Sequence, residues 1–286
     1  MKLIIYPLLL VAFCFCSCNT KPKLDNPDVK TDYGTPVKSP DSLMADYQSW
    51  WGYHYHHIIL SQDFIAVDES GNETDKRTFL EKMKNGQFYT IEMKGGKEFK
   101  NETVYQLYPV PATASTSIAS TLKNVVATQL LHLYWVGKKF PTLAATTLED
   151  VPFDNNTLKS STTVLKTWFI NCTACVKEFP ELNQMVRNYG NKNVQFISLA
   201  TDAREELKEF LDKREFLYST IPVSEDFITN QLYLRNYPTH AIIDRQGIVR
   251  KVVGSARELE NELEKYYAQL DKDSKRGQAP PPDPSL

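Results

Sequence analysis

Thr163-Val164-Leu165-Lys166-Thr167-Trp168-Phe169-Ile170-Asn171-Cys172-Thr173-Ala174-Cys175 is the stretch on which the reading of this chain turns. Up to Ile170 it is a mainly apolar run rich in β-branched and aromatic residues, the composition of a buried strand. A helical period takes over at the cysteines, with Cys175, Phe179, Leu182, Val186 and Tyr189 recurring along one face. A strand that yields to a helix at Cys-x-x-Cys sets the first sulfur beside unpaired N–H groups and the positive end of a helix dipole. Those groups favour the thiolate, which is the nucleophile in thiol–disulfide exchange. The second sulfur, one turn on, lies within disulfide reach. The placement points to redox chemistry.

The chain has 286 residues, enough for one large or two ordinary domains with real cores. Its net charge of −2 shows no basic excess of the kind that binds nucleic acid. A hydrophobic content of 42% with 12% aromatics reads as globular. The N-terminus stands apart. Met1-Lys2 is followed by the apolar stretch Leu3 to Phe15, the length of a signal peptide's core and too short to span a bilayer comfortably. Phe15-Cys16-Ser17-Cys18-Asn19 resembles a bacterial lipobox, giving a signal peptide over 1–17 and a lipid on Cys18. Cys14 and Cys16 compete for that place, and an ordinary secretory signal or uncleaved anchor is the alternative. Of five cysteines, Cys14 and Cys16 then leave with the signal and Cys18 carries lipid. Cys172 and Cys175 remain as one pair, with no further Cys or His at metal spacing beside them.

Residues 18–42, rich in Lys, Asp, Pro and Thr, read as the lipidated cysteine and a flexible tether. A first folded region, 43–136, reads as an α+β domain without a catalytic motif. It has strands over Tyr53–Leu60 and Phe64–Val67, a turn at Glu69–Asn72 and a helix over Asp75–Asn85. Strands over Phe88–Met93 and Thr103–Tyr108 follow, then a helix carrying Ile118, Leu122, Val125, Val126, Leu130 and Leu133. His54 and His56 share one face of the first expected strand. Histidines among Tyr and Trp on such a strand more often pack than ligate, so no metal is assigned.

The second region, 137–270, has a clearer rhythm. After the Cys-x-x-Cys helix come a strand over Val194–Leu199 and a helix over Arg204–Arg214. A break at Ile221-Pro222 and a short helix near Asp226–Leu234 lead to a strand over His240–Ile243. Arg245-Gln246-Gly247 turns the chain into an antiparallel strand, Ile248–Val253, and a last helix carries Leu259, Leu263, Tyr266 and Leu270. The order is βαβα, then ββα. Residues 271–286, charged and then Pro-rich, read as a disordered tail.

That order, with Cys-x-x-Cys after the first strand, resembles the thioredoxin fold, and the motifs resemble the TlpA/ResA-like thiol–disulfide oxidoreductases. Thr167-Trp168-Phe169, Cys172, Cys175, Glu178-Phe179-Pro180, Tyr237-Pro238-Thr239 and Ile242-Ile243-Asp244-Arg245-Gln246-Gly247 carry the resemblance over about 130 residues. The chain departs from the family at Asn171, where Trp usually precedes the first cysteine. Lys166 replaces the buried Asp of thioredoxin itself, and Thr173-Ala174 replaces the usual Gly-Pro between the sulfurs. The implied fold class is α/β, a central mixed sheet flanked by helices, preceded by the smaller α+β domain.

The resemblance implies roles. Cys172 is the exposed nucleophile, and Cys175, more buried, resolves the mixed disulfide. Pro238 matches the family's cis-proline, with Tyr237 offering backbone groups to a substrate strand. Glu178 matches a cavity glutamate, and a half-buried carboxyl there has a raised pKa and accepts the Cys175 proton; the alternative is a solvated surface Glu. Pro180 kinks the helix, because it lacks the N–H that the preceding turn needs. Trp168 packs beneath the site, and His240 is structural. No cofactor beyond the Cys172–Cys175 disulfide is implied.

The resulting expectation is an envelope-anchored thiol–disulfide oxidoreductase, a reductase in direction, facing the periplasm. Its expected partners are exported cysteine-containing proteins, apocytochromes c among them, a membrane thiol-electron transporter and the membrane itself through the lipid. A copper-binding assembly chaperone of the same fold is one alternative, although such proteins space the cysteines by three residues. A non-catalytic envelope binding module is another. A peroxiredoxin needs Thr in its Thr-x-x-Cys motif, where this chain has Phe169.

Overall fold

A computed structural model describes residues 31–96 and 99–276. The signal peptide, Cys18, most of the tether and the end of the tail, 277–286, lie outside the described residues.

The N-terminal half is built on a five-stranded sheet. Its strands are β1 (Gly34–Pro36), β2 (Ile65–Val67), β3 (Glu73–Thr74), β4 (Phe88–Gly95) and β5 (Val104–Pro109), in the spatial order β1-β4-β5-β2-β3. Helices α1 (Pro40–Leu43), α2 (Tyr47–His57), α3 (Lys76–Met83) and α4 (Thr116–Trp135) accompany it. α3 shows why these residues fold this way. Asp75 caps it by accepting from the Thr78 N–H at 3.0 Å, and Phe79, Leu80 and Met83 bury one face completely. Each such side chain contributes roughly 1.5–3 kcal/mol over its exposed state.

Three expectations are corrected in this half. Tyr53–Leu60 is not a strand: helix α2 runs through it to His57. Asp46 starts that helix by accepting from the Ser49 N–H at 2.8 Å, and Trp50, Tyr53 and His54 bury one face at the i, i+3, i+4 spacing. The aromatic residues suggested a strand, but the cap and the period outweigh propensity. His54 and His56, two apart on a helix, do not share a face. The tether is also shorter than expected, because Tyr33 is buried and Thr35 pairs with Lys94 where β1 joins β4.

A short hairpin, β6 (Ala145–Thr146) with β7 (Pro152–Phe153), leads into the second sheet. This sheet holds β8 (Thr162–Trp168), β9 (Val194–Ala200), β10 (Ser219–Pro222), β11 (Thr239–Ile243) and β12 (Val249–Val253), in the order β10-β9-β8-β11-β12. β8 and β9 run parallel, as do β9 and β10, whereas β11 is antiparallel to both β8 and β12. Helices α5 (Thr173–Lys177), α6 (Phe179–Tyr189), α7 (Arg204–Leu211) and α8 (Ala256–Arg276) complete it. β10 was not anticipated at the Ile221-Pro222 break. α8 continues past Leu270 to Arg276, so residues 271–276, expected in the tail, are helical. Near Asp226–Leu234 the chain makes one wide turn, Phe227–Gln231, of the π type.

β8 is the central strand, buried at every position. Its alternate faces serve different cores. Leu165 packs with Trp135, Phe140 and Ile243, while Val164 packs with Leu182, Met185 and Leu259. The described residues from Tyr33 to Arg276 form one compact unit, and α4 ties its sheets together. The start of α4 puts Ile118, Leu122 and Val126 into the first core, and its end puts Trp135 into the second.

Candidate functional site

The site is assembled where β8 ends and α5 begins. Cys172 is the N-cap of α5, with the Cys175 N–H directed at its Sγ at 3.2 Å and the Val176 N–H bonded to its carbonyl at 3.1 Å. The two sulfurs are joined in a disulfide. The loop before them is fixed by the Asp202 carboxylate, which accepts from the Ile170 N–H at 2.8 Å.

Cys175 is fully buried and Cys172 is 8% exposed. The order of burial matches expectation, but Cys172 is not openly exposed. Leu148, Phe169, Ile170 and Tyr237 belong to, or pack against, the apolar cluster that holds both cysteines. Asn171, Thr173 and Ala174, beside Cys172 in the chain, face solvent. An open cleft of about 370 Å³, lined by Asn171, Thr173, Lys177, Phe210 and Arg214, runs alongside them.

Trp168 is fully buried in the same cluster. Its indole N–H donates to Ser198 Oγ at 3.1 Å, and its ring meets Phe179 edge-on at 5.1 Å. The Tyr237–Pro238 bond is cis, and the Tyr237 ring stands edge-on to Phe169 at 5.2 Å. Both residues are half-buried. Pro180 sits in the first turn of α6, and the helix breaks at Glu178, which serves as C-cap of α5 and N-cap of α6. A proline without an N–H is tolerated in a first turn and nowhere deeper, so the break falls where Pro180 requires it.

Glu178 overturns its expectation. One carboxylate oxygen, Oε2, accepts from Lys166 Nζ at 2.6 Å and from His240 Nε2 at 3.0 Å; the other, Oε1, accepts from the Ala256 N–H at 2.9 Å. Burial alone pushes this carboxyl up, but the bonds and charges of His240 and Lys166 outweigh it and hold the group at about 2. It is neither a raised acid nor a solvated surface Glu. His240, fully buried, is itself held down at about 4, with Glu178 only partly opposing the burial. At neutral pH the imidazole is therefore uncharged, and the cation beside the carboxylate is Lys166. Burial lowers Lys166 as well, against the pull of Glu178.

Lys166 and His240 are the site-adjacent residues that sequence reasoning passed over as a family departure and a packing residue. The available signal was a lysine inside an otherwise apolar strand. Among the described residues, no group of three or more His, Cys, Asp or Glu is arranged to hold a metal ion.

Residues 136–252 match the AhpC/TSA family. A 137-residue stretch, 47% of this chain, is 28% identical to the thiol-disulfide oxidoreductase ResA of a Bacillus cereus strain and covers 78% of it. The Bacillus anthracis ResA is 27% identical over the same length and the same shares. Among solved structures, a thiol:disulfide interchange protein from Bacteroides sp. aligns with a TM-score of 0.42 and 21% identity, over 46% of this chain and 89% of its own. The thioredoxin domain of a thiol-disulfide oxidoreductase from Bacteroides vulgatus gives the same TM-score and identity, over 46% and 96%. Through its C-terminal half the chain is similar to the TlpA/ResA-like proteins of the thioredoxin superfamily. Its enzyme class is thiol–disulfide oxidoreductase.

Proposed function

We propose that the protein is an envelope-anchored reductase that exchanges disulfides with exported proteins through Cys172 and Cys175. The observation that carries this reading is the disulfide at the start of α5, with Cys175 wholly buried and Cys172, 8% exposed, between the exposed residues Asn171 and Thr173.

In the reduced enzyme, Cys172 thiolate attacks one sulfur of a client disulfide. Its S–S bond breaks, a mixed disulfide forms, and one client sulfur leaves as thiolate. Cys175, deprotonated, then attacks Cys172 Sγ, closing the internal disulfide and expelling the second client sulfur. Two electrons pass to the client, whose thiolates take up protons from water. A membrane dithiol donor returns the enzyme to its reduced form, because an oxidising compartment cannot keep such a pair reduced. Tyr237, packed against the apolar cluster of the two cysteines, and Pro238, joined to it by a cis bond, are the proposed backbone contact for the client strand. Trp168 and Pro180 shape the support beneath, and the disulfide is the only redox group required. The N-terminal sequence, with Cys18 as lipid attachment, supports an anchor facing the periplasm, and apocytochromes are among the fitting clients.

The test is a pair of variants assayed for reduction of a protein disulfide. Cys172→Ser should abolish activity, and Cys175→Ser should accumulate covalent client adducts that dithiothreitol releases. Full activity in Cys172→Ser would end the proposal.

A further inference from the structure

We propose that Lys166 and His240 are positioning residues for the sulfur pair, holding Glu178 as a fixed anion that organises the cysteine-bearing helix and takes no proton from Cys175. The inference rests on the reading of Cys172 and Cys175 as the redox pair, and it concerns what lies beneath them.

The geometry is that of an anion. Two donors and an imidazole nitrogen converge on two oxygens: Lys166 Nζ from β8, the N–H of Ala256 at the first residue of α8, and His240 Nε2 from β11. Protonating the carboxyl would give up the charge-assisted bond to the buried Lys166 ammonium at 2.6 Å and weaken the one from the Ala256 N–H. The Lys166 and His240 side chains have no exposure and Glu178 only 14%, so water cannot substitute for a lost partner. Lys166 and His240 are also register partners across β8 and β11, on the face that Val164 and Trp168 present to α5 and α6. The donors are thus set by the sheet, and Glu178 is the point at which the cysteine helix is fastened to it.

Other groups face Glu178 from the elements packed against it. Glu181 of α6 reaches it electrostatically, with Arg257 and Glu260 of α8 around Glu181. The buried phenol of Tyr218, just before β10, is also within range and stays uncharged. Glu181 is exposed and therefore screened by solvent. Lys166 is left as the cation in contact with the carboxylate.

The experiment follows the Glu178 side-chain carboxyl by carbon-13 NMR from pH 3 to 8, in the full chain with its disulfide intact. Exchange rates against pH are measured in parallel on the reduced enzyme. In the unmodified protein Glu178 should not titrate above pH 4, and Glu178→Gln should keep every inflection of the rate profile. Lys166→Met should move the carboxyl titration upward by about 1–3 pH units and add an inflection that disappears in the Lys166→Met/Glu178→Gln double variant. Lys166→Arg should restore the original titration. If Lys166→Met does not fold, His240→Phe serves, with a smaller upward shift. Titration of Glu178 above pH 4.5 in the unmodified protein, or loss of an inflection in Glu178→Gln, would overturn the proposal. The NMR arm needs no catalysis, so it stands or falls separately from the reductase reading.

Discussion

At the scale of single residues, Trp168 separates packing from hydrogen bonding under the disulfide. Its indole N–H donates to Ser198 Oγ, but that hydroxyl also exchanges a bond with Thr220 Oγ1 at 2.8 Å and keeps a partner without the tryptophan. The ring touches Phe179, Phe210 and Phe216. Trp168→Ala should therefore cost about 3–5 kcal/mol in urea denaturation, through the cavity left among those rings. Trp168→Phe should cost much less, because only one replaceable bond is lost. Equal losses in the two variants would show that the hydrogen bond, and not the volume, carries the effect.

At the scale of elements, α4 braces the approach to the Tyr237–Pro238 segment. Trp135, at its end, donates to the carbonyl of Leu232 at 2.8 Å in a buried setting, and Thr128 is bonded to Asn236. Trp135→Phe leaves that carbonyl unpaired and should destabilise by about 1–3 kcal/mol. Amide hydrogen exchange should accelerate over 227–238 before it does in β8; uniform acceleration would refute a local brace. Elements differ in how readily the sequence shows them. α3 and α6 were legible because a cap or an unbroken 3.6 period marks them. β10, four residues ending in Pro222, carries too little pattern to separate from a loop. α2 was misread because its Trp, Tyr and His residues favour strands in general, whereas Asp46 and the burial of Trp50, Tyr53 and His54 fix a helix here.

For the whole molecule, buried histidines set the acid limit of stability. His54 and His132 are both held down from 6.5 to about 4 by burial, and both nitrogens of His132 lack a partner. The unfolded chain takes up these protons near 6.5 and the folded protein only near 4. Stability is thus intact above about pH 6.5 and lost as pH falls toward 4, at about 1.4 kcal/mol per pH unit for each histidine. Melting temperature should fall across that window. His132→Leu should flatten the slope by one proton without sacrificing a hydrogen bond; an unchanged slope would remove His132 from the account.

The sequence by itself determined the position of the cysteine pair, the strand–helix order around it and the apolar faces of the main helices. These follow from spacing and period, which are local. The protonation state of Glu178 was decided only in three dimensions. Its partners Lys166 and His240 lie 12 and 62 residues away in the chain, and their effect depends on burial and on distances of 2.6 and 3.0 Å. The burial of Cys172 is likewise tertiary, since Leu148 and Tyr237 join its apolar cluster from separate loops. Periodicity records which side of an element faces inward; it does not record which charges meet there, and that meeting sets the chemistry.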